Sequence, residues 1–151
     1  GRAREYPELL LDNRELRQLL DWIKAARRRE PRFLSYGEEG CLGREYDFRV
    51  RDEPQHCDAG VHILTLLADG SLTGCAACDH GFIQGNIKTD DPAGLWERAF
   101  HPFRDRGWMR EGNCGTCGSF RHCHGDGMHL WQPGKKNPAD CLRLRLLNKG
   151  L

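Results

Sequence analysis

The chain has 151 residues, of which 30% are charged, and a formal net charge of +1, a size that fits one ordinary domain or a small domain with an appended helix. So even a balance supplies no basic field to attract nucleic acid, and no apolar stretch approaches the roughly twenty residues needed to span a bilayer. Eight cysteines are left as the main chemical resource.

An even cysteine count is compatible with four disulfides or with metal binding. Residues 1–6, Gly1-Arg-Ala-Arg-Glu-Tyr6, show no apolar signal core, so the metal reading is preferred and a reducing, cytoplasmic setting is expected. The chain opens on Gly1 rather than Met, and the expectation is a piece of a longer protein.

In chain order, Asp12 with Glu15 three residues on forms a capping-box signal, and Leu16, Leu19, Leu20 and Ile23 recur at helical spacing. A helix over Asn13–Arg29 is predicted, burying Leu16, Leu20 and Ile23. Its end, Arg27-Arg28-Arg29, reads as a solvated terminus that complements the helix dipole. Pro31 and the stretch from Ser35 to Gly40 end the helix and act as a linker. This defines residues 1–40 as helix and linker, readable as the end of a preceding barrel, and 41–151 as a cysteine-rich domain.

From Val61 to Leu67 the chain is apolar and β-rich, Asp69-Gly70 is a hairpin signal, and Ser71 to Gly74 returns as the partner strand. The hairpin places Cys57 at its entry and Cys75 at its exit, where two thiols can share one centre. Gly85-Asn-Ile-Lys88 reads as a turn. Asp91-Pro92 is an N-cap and N1 pair opening a short helix through Phe100, with Leu95, Trp96, Phe100 and Phe103 as core. After Trp108 the sequence is rich in Gly, Cys and His with little periodicity, and a metal is expected to stand in for a core there. The predicted fold class is α+β: a small metal-stabilised domain with a β-hairpin, short helices and a Cys-rich loop region, preceded by one amphipathic helix.

The tightest cysteine piece is Cys114-Gly-Thr-Cys117, then Cys123 after five residues and Cys141 after seventeen. Two thiolates two residues apart can turn onto one metal, and further cysteines complete a tetrahedral set. Upstream, Cys57 is followed after twelve residues by Gly70 and after four more by Cys75. With the connecting phrases Cys57-Asp-Ala-Gly60, Ala68-Asp-Gly70, Gln84-Gly-Asn-Ile87, Leu95-Trp96-Glu97 and Phe103-Arg-Asp-Arg106, this framework resembles the SPASM domain at the C-terminus of radical SAM enzymes, of the type that modifies peptides or proteins. The resemblance covers about Tyr46 to Cys141.

What the resemblance implies is a domain carrying up to two auxiliary clusters, usually 4Fe-4S, beside a barrel-like core whose own cluster cleaves S-adenosylmethionine. One auxiliary cluster would be held by Cys114, Cys117, Cys123 and Cys141. For the other, Cys57 and Cys75 are in place, but the family's further cysteine, four positions after Cys123, is Gly127 here, and a supplementary cysteine found in some members near residues 61–63 is absent too. Cys78, in the pair Cys75-Ala-Ala-Cys78, and Cys41 are the available replacements. His122, His124 and His129 flank the knuckle, where histidine more often hydrogen-bonds or packs beside a cluster than ligates it.

The radical-generating CxxxCxxC signature does not occur in the 151 residues, so the chain is not expected to be active alone. The expected partners are a radical SAM core, in cis or in trans, and a peptide or protein substrate. Hydrogen abstraction in the core would begin the reaction, and an auxiliary cluster would accept the substrate electron. Two alternatives stand beside this reading: a structural zinc domain that binds a partner protein, with Cys75-x-x-Cys78 and Cys114-x-x-Cys117 as its arms, and a stand-alone iron-sulfur protein that transfers electrons or recruits substrate.

Overall fold

The computed structural model describes residues 6–31, 34–37 and 40–148. It is mixed α+β, and it divides into two compact units, one made of 1–55 with 141–151 and the other of 56–140. No described helix is long and apolar enough to cross a membrane.

In the first unit the predicted helix forms as α1 (Asn13–Arg29). Its capping box is complete: the Glu15 amide donates to Asp12 Oδ1 at 2.7 Å and the Asp12 amide donates to Glu15 Oε2 at 2.8 Å, which satisfies two of the donors that every helix N-terminus leaves over. Leu16, Leu20 and Ile23 are buried at 3%, 0% and 4% exposure. They pack with Tyr36, Leu42, Val50 and Leu142, so the apolar stripe of α1 is covered within this unit by α2 (Arg44–Val50) and α7 (Leu142–Leu147). The three arginines occupy the last turn, where Arg28 and Arg29 are exposed as expected but Arg27 is not solvated: its side chain is 12% exposed and is held by Asp52 at 2.5 Å and by the Leu34 carbonyl. Of the expected linker, residues 38 and 39 lie outside the described residues.

The second unit is built on a three-stranded antiparallel sheet in the order β1 (Thr65–Leu66), β2 (Ser71–Thr73), β3 (Gly85–Asn86). The hairpin sits where Asp69-Gly70 placed it, but its loop has three residues. Leu67 and Ser71 still pair, with the Leu67 amide on the Ser71 carbonyl at 2.8 Å, and Gly70 donates back to Leu67 at 3.0 Å. Gly70 takes φ +94, which a side chain resists. Two further expectations change. Residues 61–63 form a turn on the Asp58 carbonyl rather than strand, closed by an isolated bridge between Ala59 and Ile63 in which Gly60 donates to the Ile63 carbonyl at 2.9 Å. Gly85-Asn86, read as a turn, pairs with β2 in the register Ser71↔Asn86 and Leu72↔Gly85, because the buried Leu72 edge needs backbone partners.

The helix opened by Asp91-Pro92 forms as α3 (Pro92–Arg98), with Asp91 accepting from the Ala93 and Gly94 amides, and the chain re-starts as α4 (His101–Arg104). Phe100 and Phe103 are fully buried, whereas Leu95 and Trp96 are half-buried. They are followed in the chain by α5 (Gly112–Gly115) and α6 (Phe120–Cys123). The core unites Ala59, Phe82, Phe100 and Phe103 with Met109, Phe120, Met128 and Trp131, so the segment after Trp108 supplies half of it. Those four residues are too widely and irregularly spaced to read as a helix or a strand. At Gly60 (φ +67) a Cβ would lie 2.3 Å from Phe103 Cβ. That contact is impossible for any other residue, and it seats the Cys57–Gly60 segment directly on the core.

Candidate metal centre

Cys57, Cys75 and Cys78 all pack against the second unit's core. The sheet delivers the last two: β2 ends at Thr73, and the chain turns at once so that the Cys78 amide donates to the Cys75 carbonyl at 3.0 Å. Within that turn the Ala77 amide donates to Cys75 Sγ at 3.4 Å. An N–H aimed at sulfur stabilises its thiolate, as it does in metal-thiolate knuckles. Cys57 arrives from the other side of the hairpin, and its Sγ accepts the Met128 amide at 3.5 Å.

The Cys78 thiol is pushed up to about 12, first by burial and then by the charges of Cys75 and Cys57. Such a site resists holding bare thiolates together, and a thiophilic cation removes both penalties at once. Among the described residues no group of three or more His, Cys, Asp or Glu side chains is placed to hold a metal ion; what Cys57, Cys75 and Cys78 share is the core surface on which each packs. As a donor set they fit zinc or iron: they are soft, partly buried, and two of the three are already bonded to amides.

The knuckle cysteines lie on successive tight turns. Cys114 is in α5 and packs on the core. Cys117 donates to its carbonyl at 3.3 Å, Phe120 donates to Cys117 at 3.1 Å, and Cys123 ends α6. The other two predicted residues belong to the first unit. Cys141 is the N-cap of α7. Cys41 is buried, with its Sγ 3.9 Å from Asp47 Oδ2, beside the Asp47–Arg51 ion pair at 3.1 Å. Of the histidines, His122 and His124 are exposed and His129 is half-buried.

Two features of the site were not legible as site residues. One is the backbone of 124–126, where His124, Gly125 and Asp126 take φ +48, +81 and +69 in succession. Consecutive left-handed residues are costly for His and Asp, and this bend carries the Met128 amide to Cys57. The other is Arg106, 8% exposed, whose guanidinium donates to the carbonyls of Phe103 at 2.9 Å, Asp126 at 3.0 Å and Cys57 at 3.0 Å. A lone arginine in a charged stretch gives no sequence signal of burial.

Comparison of the chain with protein-family models, with curated proteins and with solved structures found no match.

Proposed function

We propose that this chain is the auxiliary iron-sulfur domain of a radical SAM enzyme that modifies a peptide or protein, as its resemblance to SPASM domains implies. The observation that supports this reading best is the Met128 amide on Cys57 Sγ. The resemblance puts a further ligand of the Cys57–Cys75 site at position 127, and in this fold the backbone next to Gly127 touches Cys57. Cys78, one tight turn after Cys75, takes the place of the missing cysteine.

On this reading Cys57, Cys75 and Cys78 hold a first cluster, with Cys41 or a non-cysteine group as fourth ligand, and Cys114, Cys117, Cys123 and Cys141 hold a second. Bound there, a 4Fe-4S cluster supplies one-electron chemistry, and the fold supplies ligand placement, partial burial and N–H bonds to sulfur that tune it. Metal binding also stabilises the second unit. The radical itself is generated by a core domain in cis or in trans, using S-adenosylmethionine. A reducing cytoplasm is the compartment that keeps eight thiols available.

Anaerobic reconstitution with iron and sulfide tests the proposal. Two clusters correspond to about eight irons per chain, and Cys75→Ala with Cys78→Ala should leave about four. Gly127→Cys, which restores the expected ligand, should raise the retention of iron at the first site. A chain that takes up only stoichiometric zinc under these conditions is instead a structural zinc domain, which the all-thiol donor set also suits.

A further inference from the structure

We infer that Arg106 is a positioning residue that pre-forms the Cys57 half of the metal centre, so that the site is organised before metal arrives. The inference rests on reading the gathered thiols as a metal centre, but it is carried by a separate set of contacts. The guanidinium spends all three of its nitrogens on backbone carbonyls, those of Phe103, Asp126 and Cys57. The last two belong to the segments that meet in the Met128 N–H···Sγ contact at 3.5 Å.

Both segments need such a tie. The 124–126 bend runs through three left-handed residues, and two of them carry side chains that favour leaving that conformation. Its local support is the Gly127 amide on Asp126 Oδ1 at 2.8 Å, the His124 and Asp126 amides on the Phe120 and Cys123 carbonyls, both at 2.8 Å, and the Trp131 indole N–H on the Gly125 carbonyl at 2.6 Å; Arg106 adds the link from this bend to Cys57. Cys57 follows a stretch, 51–57, with no regular secondary structure, and it is fixed on the core side by Gly60 against Phe103. Arg106 starts from the same place, since its Nε bonds to the Phe103 carbonyl. One buried fork therefore references the Cys57 backbone, the bend and the core to one another. Its planar geometry suits three carbonyls in a way that a single ammonium does not.

A group that orients a ligand without touching the metal typically changes metal affinity by 10- to 100-fold. The test uses the full chain, reduced and metal-free, titrated anaerobically with cobalt(II), whose thiolate charge-transfer band reports sulfur ligation. The part of that band lost in Cys75→Ala, Cys78→Ala belongs to this site. Arg106→Gln should weaken cobalt binding there by about 10- to 100-fold and leave the remaining band unchanged, and Arg106→Lys should recover only part of the loss. If both variants bind cobalt at this site as the unaltered chain does, the inference is overturned.

Amide exchange gives a second measurement that needs no variant to fold. Pre-organisation requires Met128 N–H to be protected in the metal-free chain, and protection that appears only with cobalt overturns it. If the unaltered chain shows no cobalt band that depends on Cys75 and Cys78, the metal-centre reading fails, and Met128 exchange compared between the metal-free unaltered chain and Arg106→Lys then decides whether Arg106 organises this loop: equal protection overturns that role too.

Discussion

At the scale of single residues, the 124–126 bend shows how backbone strain and ligand placement are joined. His124 is exposed and left-handed at the C-cap of α6, a position that glycine fills at lower steric cost. His124→Gly should therefore raise stability by about 0.5–1 kcal/mol, measured by denaturant unfolding of the metal-free chain, with iron content after reconstitution unchanged. A fall in iron content would make His124 a ligand. Phe103 represents the opposite case. It is fully buried against Phe82 and Phe100, with ring centroids at 5.9 and 5.5 Å, and Phe103→Ala should cost about 3–5 kcal/mol. It should also loosen Cys57, because Gly60 loses the surface on which it rests.

At the scale of elements, α1 stands on local rules. Its cap holds Asp12 below the ordinary carboxylate range, chiefly through the bond from the Glu15 amide. A carboxyl depressed in the folded state contributes stability that is present above its unfolded pKa and is lost as pH falls through the folded one. Asp12→Ala should lower the melting temperature at pH 7 and flatten its fall between about pH 5 and pH 3, whereas Asp12→Asn should keep most of the cap and still lose that pH dependence. Identical acid-unfolding curves for all three chains would show that the cap contributes nothing. The hairpin is stabilised differently. Its strands are two and three residues long, too short to be stable alone, so β3 and the core beneath complete it.

At the scale of the whole molecule, the two units bury different chemistry. The first has an apolar cluster of seven buried residues around α1. The second has eight buried core residues but carries its polar backbone through short turns with few long ladders. Chelation of a reconstituted chain should therefore raise amide exchange across the knuckle, 112–123, while Leu20 and Ile23 in α1 stay protected. Unchanged protection in 112–123 would mean that packing of Phe120 into the core holds the segment without metal.

Some of this was already written in the sequence, because its causes are local. The bounds of α1, its capping box and its buried face follow from Asp12, Glu15 and the spacing of Leu16, Leu20 and Ile23. The hairpin follows from Asp69-Gly70, and the start of α3 from Asp91-Pro92. The cysteine spacings pointed to thiol pairs two residues apart, and Cys75 and Cys78 do occupy one turn. What the tertiary structure alone decided depends on residues far apart in the chain. Gly85-Asn86 became a strand because β2 offered an open edge. Met109, Phe120, Met128 and Trp131 became core because a surface made by Phe82, Phe100 and Phe103 was there to receive them. Arg106 acquired its place from three carbonyls, two of them 49 and 20 residues away, and no local pattern encodes a contact whose partners are backbone atoms that only folding brings together.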